Sequence, residues 1–422
     1  MPSKKLFLSS MVFIVLVSLP LIGSVGASSL MWTQTYGSGD HEVAHRVIET
    51  SDKGYVLGGY TRDINEGEYD SDFLMVKTDI NGNMEWNQTY ELMEYDRVGS
   101  FIETSDGGFA LAGESAKIWL IKTDKNGDIE WKQTYGSAND SGAPYSIVQT
   151  PDLGYALAGW IYTISGEGST DVWLIKTDMY GNLEWNRTYG SAGSDRARSL
   201  IMTSDGGFAL AGIVWSITSS SYDFWLIKTD ANGVMMWNQT YDYNNGWWEE
   251  ATFVVETADG GYVIAGIANF PPPLPVSHFW LIKTDAYGNM EWSKTYAETE
   301  NKKVNSIVMT SDGGFALAGS TTSLDIENFW LVKTDARGNV EWSQTHGESE
   351  SDIAHSLVET SDGGYAIAGE TYSLGAGESD FWLIKTDEIG NIPEFPSWFI
   401  LPLFLVSTVV VIFCKKKLAK SS

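Results

Sequence analysis

Two histidines, His45 and His355, each have an acid close by in the chain, Glu42 and Asp352. Imidazole and carboxylate together make a metal-ligating set, so the two histidines with Glu42 or Asp352 could hold a metal ion if the fold brought them together, ordinary channel-lining hydrogen bonds being the alternative. The chain has only five histidines, too few for a larger imidazole site elsewhere. A second group is the run Asn244 to Glu250. In it, Trp247 and Trp248 offer flat faces that stack on sugar rings, and Glu249 and Glu250 offer acceptors for sugar hydroxyls. The same four residues would serve equally as padding for the edge of a domain. Acids are dense elsewhere too, with Glu66, Glu68, Asp70 and Asp72 in one short stretch. Two of them held about 5–10 Å apart would suit glycoside hydrolysis, but nothing in the linear sequence shows a pair converging. No nucleophile triad is suggested, and the recurrent Gly-Gly pairs are turn chemistry, not a phosphate loop.

These residues need elements to position them, and an internal repeat supplies those elements. A unit of the form Asp-Gly-Gly-(Phe/Tyr)-Ala-Leu-Ala-Gly recurs seven times, its last six residues at 54–59, 108–113, 154–159, 207–212, 261–266, 314–319 and 364–369. Each is followed by a version of Asp-Phe-Trp-Leu-Ile-Lys-Thr-Asp-x-x-Gly-Asn-x-x-Trp, with lysines 77, 122, 176, 228, 283, 333 and 385 marking the copies. Repetition at this period signals a solenoid or a propeller. Each unit reads as four strands: Ser306–Thr310, Phe315–Gly319, Phe329–Thr334 and Asn339–Thr345 in the sixth copy. An Asp-Gly hairpin joins the first two, and a glycine turn the last two. The third strand is apolar on both faces, which suits a sheet covered on both sides.

The ends of the array predict a closed ring. The last unit stops at Ile392, where Pro393 stands in place of a fourth strand. The first unit is preceded by Met31–Gly37, a fourth strand with no blade of its own. Joining the two completes seven blades and removes an open edge. The expected fold is therefore an all-β, seven-bladed β-propeller of four-stranded antiparallel blades over residues 28–392, closed by strand sharing.

Segments outside the ring predict its address. Lys4 and Lys5 precede an apolar run ending in Val25-Gly26-Ala27, the order of a signal peptide over residues 1–27. Pro393–Ser397 leads into an apolar stretch, residues 398–414, and then Lys415, Lys416 and Lys417. That stretch is just long enough for a transmembrane helix. The lysines place the basic tail, 415–422, in the cytoplasm and the ring outside the cell. Cys414 is the only cysteine, so the body holds no disulfide and relies on packing. The formal net charge is −28, and Lys4, Lys5, Lys415, Lys416, Lys417 and Lys420 all lie outside the ring, which is more acidic still. Such a surface argues against nucleic acid and favours solubility or cation binding. No organic cofactor is expected, and calcium is the cation the acids would suit.

The repeat resembles that of archaeal and bacterial surface β-propellers, over residues 31–392. Its Asp-x-x-Gly-x-x-x-Trp hairpin is also similar to the quinoprotein-type repeat and the sialidase Asp-box, though the Asp-to-Gly spacing differs from both. In those families the tryptophan packs between blades. The tail, with Pro393-Glu394-Phe395-Pro396-Ser397 before an apolar helix and a basic cluster, resembles the PEF-type sorting tails of archaeal surface proteins. That resemblance implies a membrane sorting protease as a partner and a lipid anchor after cleavage; a plain stop-transfer helix gives the same address.

Within a propeller the uniform hairpins one-to-two and three-to-four share one face, and the variable connections two-to-three and four-to-one share the other. The variable face is the candidate binding surface. At the channel mouth, strand one is read as starting at Arg46, Ser100, Ser146, Ser199, Thr252, Ser306 and Ser356, preceded by His45, Gly99, Tyr145, Arg198, Ala251, Asn305 and His355, and closing the ring puts His45 and His355 in adjacent blades. The conserved-position lysine of each unit is expected to lay its stem on the blade, keep its ammonium wet and pair with a strand-four glutamate. Glycosylation sequons fall at Asn87, Asn139, Asn186 and Asn238. Together these readings predict a displayed binding, adhesion or envelope-scaffold module for a glycan or a surface protein. The alternative is an extracellular polysaccharide hydrolase or lyase using loop carboxylates on the same face.

Overall fold

The computed structural model describes residues 31–37, 40–62, 71–90, 97–114, 117–137, 140–162, 170–217, 220–243, 248–269, 277–296, 302–323, 326–347, 350–374 and 379–392. These form 28 strands in seven four-stranded antiparallel sheets. Six sheets are built from consecutive strands, from β2 (His41–Glu49), β3 (Tyr55–Arg62), β4 (Asp72–Thr78) and β5 (Met84–Tyr90) onward. The seventh joins β1 (Trp32–Tyr36) to β26 (Asp352–Glu359), β27 (Tyr365–Thr371) and β28 (Asp380–Lys385) in the order β1-β28-β27-β26, so that β1 pairs with β28. The ring is thus closed by the strand expected to close it. Trp382 Nε1 donates to Thr33 Oγ1 at 2.6 Å across that seam. Among the described residues no helix is long and apolar enough to cross a membrane. The expected signal peptide, sorting motif, transmembrane stretch and basic tail lie outside them.

The repeat sequence explains the packing of blade on blade. In a strand, successive side chains point to opposite faces. In Phe109-Ala110-Leu111-Ala112, Phe109 and Leu111 pack towards the first blade, and Ala110 and Ala112 towards the third. Large residues on one face and small on the other let twisted sheets approach as wedges. Every hydrophobic cluster spans two neighbouring blades, the one across the closure joining Tyr36, Phe381 and Leu383 to Val47, Tyr55 and Leu57. The strand-four tryptophan does pack between blades, Trp86 edge-on to Phe109 at 5.8 Å being one copy. The turn glycine of the next blade meets that indole: a Cβ on Gly181, whose φ is +76°, would stand 2.6 Å from Trp131. Glycine is required there for both conformation and space.

Each blade also clasps the next through one hydrogen bond. The tyrosine ending strand four donates to the turn-glycine carbonyl beyond, as Tyr36 to Gly82 at 2.7 Å and Tyr189 to Gly233 at 2.6 Å. His346 replaces the tyrosine once and reaches the Gly390 carbonyl at 2.9 Å through Nε2.

Two details depart from the sequence reading. The first hairpin is not a two-residue turn centred on Asp-Gly. Gly313 N donates to Thr310 O, Thr310 N to Gly314 O, and positive φ falls on Gly313 alone. That is a type I turn followed by a left-handed residue. The recurrent lysine is also buried, not wet: Lys122 is 4% exposed. Its Nζ donates to Thr123 O at 2.8 Å and pairs with Glu130 at 3.0 Å and Asp106 at 2.9 Å. The expected glutamate is present, but the turn aspartate is the partner found in all seven blades.

Candidate functional site

Strand one of each blade carries a β-bulge near its start, between Ala44 and Arg46, Pro144 and Ser146, Ala197 and Ser199, and at the matching places in the other blades. A bulge inserts an unpaired residue and re-aims its side chain. The bulged residues are His45, Gly99, Tyr145, Arg198, Thr252, Asn305 and His355. All seven line the central channel. The sequence reading aligned the fifth blade one residue early: its bulge is Thr252, not Ala251, and Phe253 occupies the serine position. Ala251 is fully buried in the core instead.

Most of the serines that follow the bulges stitch the ring. Ser356 Oγ accepts from Val47 N at 3.1 Å, Ser146 Oγ from Leu200 N at 3.2 Å, and Ser306 Oγ from Leu357 N at 3.2 Å. Arg46 breaks that series by projecting a guanidinium where five other blades have serine.

The bulged residues meet across blades. His45 and His355 lie edge to face at 5.5 Å, adjacent as ring closure requires. His355 Nε2 is 3.2 Å from Glu370 Oε1. Burial tends to raise the Glu370 carboxyl, but the hydrogen bond from His355 and the nearby imidazoles outweigh it and hold its pKa below the usual value. The acid at this pair is therefore Glu370; Asp352 is tied to Thr371 and Ser373 at 2.5 and 3.0 Å. Arg198 lies over the Tyr145 ring at 4.1 Å, and its Nε binds Glu250. Tyr145 Oη accepts from Trp160 Nε1 at 3.1 Å. Asn305 Nδ2 donates to Ala354 O at 2.8 Å.

The tryptophan–glutamate run divides. Trp247 lies outside the described residues, and Trp248 is 40% exposed. Glu249 and Glu250 are buried members of β18 (Glu249–Glu256), paired with Ala268 and Ile267. They sit in a strand because β18 begins at Glu249, ahead of the bulge at Thr252. Glu249 has carboxylate oxygens within 4.8 Å of those of Asp223 and Asp242. This is an all-oxygen set suited to a hard cation such as calcium. Sequence reasoning passed over Asp223, although it is the acid that opens the Asp-Phe-Trp motif. The corresponding Asp171 meets Asp195 of the following blade, and burial together with that neighbouring charge raises the Asp171 pKa.

Of the sequon asparagines, Asn87, Asn186 and Asn238 are exposed on strand four, and Asn139 lies outside the described residues. Asn186 and Asn238 accept hydrogen bonds from the indoles of Trp173 and Trp225 at 3.3 and 3.1 Å.

The WD40 domain of Neurospora crassa Pan2 matches the structure with a TM-score of 0.52 at 11% identity, over 86% of this chain and 98% of that one. Sqt1 from Chaetomium thermophilum gives 0.47 at 12% identity, over 86% and 88% of the two chains. Drosophila Plexin A in complex with Semaphorin 1b gives 0.47 at 9% identity, over 85% and 87%. The first likeness shows the propeller fold and nothing finer. No protein-family model matches the chain, and no curated protein matches it.

Proposed function

We propose that this chain is a non-enzymatic binding propeller displayed on the outer face of a cell membrane, which engages a glycan or surface protein through its variable face. The observation that carries the reading is the open channel mouth. It gathers His45, Arg46, Tyr145, Arg198, Asn305 and His355 from five blades. Convergent polar side chains in a concave site on a rigid scaffold are the usual form of a binding site. A two-carboxylate hydrolase in this channel is disfavoured, because the described residues lining it carry no aspartate or glutamate. Display at the membrane rests on the leader and tail patterns, with processing by a sorting protease at Pro393–Ser397 as part of the same reading.

The test is a glycan and cell-surface capture screen with the full-length chain, with and without calcium. Variants at Tyr145 and Asn305 are expected to lose capture, and a variant at Tyr287 on the uniform face is expected to retain it. Hydrolysis of a polysaccharide with no capture of any ligand would overturn the reading.

A further inference from the structure

The channel cavity measures about 960 Å³, the upper end of the range for small-molecule sites. Its charged lining is one-sided. Arg46, Arg62 and Arg198 face it with His45 and His355, and no acid is among the described lining residues. That is the reverse of the chain as a whole, in which 55 acids outnumber 27 lysines and arginines. Two of these basic residues have acids at their backs: Glu250 holds Arg198 by Nε, and Glu370 holds His355. Neither acid lines the cavity.

Arg46 differs from both. Its guanidinium forms no hydrogen bond or ion pair with any described residue. Burial lowers its pKa from the ordinary arginine value, and no nearby acid acts against that shift. A guanidinium carried into a channel without a counter-charge is costly unless an anion joins it. The same cavity is lined by hydroxyl and amide groups from other blades, those of Tyr145, Thr252 and Asn305. Further along strand one, towards the uniform face, the lining turns apolar with Ile48, Ile102, Val148 and Ile201. A charged ligand is therefore confined to the end of the channel nearest the variable loops.

We propose that the channel mouth binds a small hydroxylated organic carboxylate of the acidic-sugar class, its carboxylate seated on Arg46. This rests on the binding reading above and narrows it to one ligand chemistry. The planar fork of arginine matches a carboxylate in two parallel hydrogen bonds, and the hydroxyls and amide elsewhere in the lining suit the body of a sugar.

The experiment is calorimetric titration of the full-length chain with glucuronate and with glucose, which lacks the carboxylate. Glucuronate is expected to bind, glucose at least about tenfold more weakly, and added salt to weaken glucuronate. Arg46→Gln is expected to lose at least about tenfold in glucuronate affinity, and Arg46→Lys to fall between that variant and the wild type, keeping the charge but not the paired hydrogen bonds. The unfolding midpoint of Arg46→Gln should be unchanged or raised, since an uncompensated charge is removed. Equal binding of glucose and glucuronate would overturn the anion proposal and leave channel-mouth binding standing. Glucuronate binding unchanged in Arg46→Gln, or absent from the wild type, would also overturn it. Loss of glycan and surface capture alongside retained glucuronate binding would overturn the broader reading instead.

Discussion

Replacing Lys122 by methionine tests how the blades are held together. Lys122 Nζ uses its three donors on Thr123 O at 2.8 Å, Asp106 at 2.9 Å and Glu130 at 3.0 Å. Methionine keeps most of the packing and removes the charge. The bond to the buried carbonyl is charge-assisted and contributes about 1.5–3 kcal/mol. The two carboxylates are 59% and 47% exposed, so each pair adds only about 0–1 kcal/mol. Lys122→Met should therefore cost about 2–4 kcal/mol, and Glu130→Met less than about 1 kcal/mol. The protein supplies its own control: Lys228 has Met236 where five blades have glutamate and pairs with Asp205 alone. Equilibrium denaturation in urea measures both changes. The linkage to pH gives a second readout. Burial tends to raise the Asp106 pKa, but hydrogen bonds from Lys122, Thr104 and the Gly108 amide bring it down to about 2. A depressed folded-state pKa contributes stability above the unfolded value near 3.8, and that stability is lost as pH falls towards 2. Lys122→Met should flatten that acid limb. A cost from Glu130→Met equal to that from Lys122→Met would refute the reasoning, because the carbonyl bond would then carry nothing.

Three further outcomes follow from single positions. Lys53 and Leu153 hold φ of 72° and 67° at the turn position that is glycine in the other five blades. Leu153→Gly should stabilise by about 1 kcal/mol, the left-handed strain relieved less the chain entropy gained on unfolding; thermal melts read it. Burial lowers the pKa of His346 despite its bond to Gly390 O, so the fold binds its proton less readily than the unfolded chain. Stability should then fall as pH drops below about 6.5, and His346→Tyr, which restores the clasp of the other blades, should remove that dependence in pH-resolved denaturation. Trp119 Nε1 is buried without a partner, and Lys132 occupies the position from which Asn186 and Asn238 accept from their own tryptophans. Lys132→Asn should gain about 1 kcal/mol by supplying the acceptor, measured by the same melts.

The architecture was legible because the repeat states it seven times. Alternating large and small residues in Phe-Ala-Leu-Ala set the two faces of strand two, and the half-unit at each end required Trp32–Tyr36 to pair with Asp380–Lys385. The site was legible only in part. His45 and His355 were placed together by closing the ring, which is a topological argument. Thr252 was misassigned by one residue, because a bulge shifts register without any change in composition. Glu250 read as a loop acid because its partner Arg198 stands 52 residues earlier, on the neighbouring blade. The lysine read as wet because its aspartate lies across a hairpin turn, 16 residues away in Asp106 and Lys122. Local patterning sees periodicity, and these pairs are set by tertiary contact.

Hydrogen exchange of the full-length chain, with and without its captured ligand, tests the channel-mouth site most directly. Protection is predicted at the strand-one segments around the bulges, at residues 44–46, 143–146, 197–199 and 353–356. Protection confined to the uniform hairpins, such as residues 79–83 and 310–314, with no change at the bulges, would contradict it.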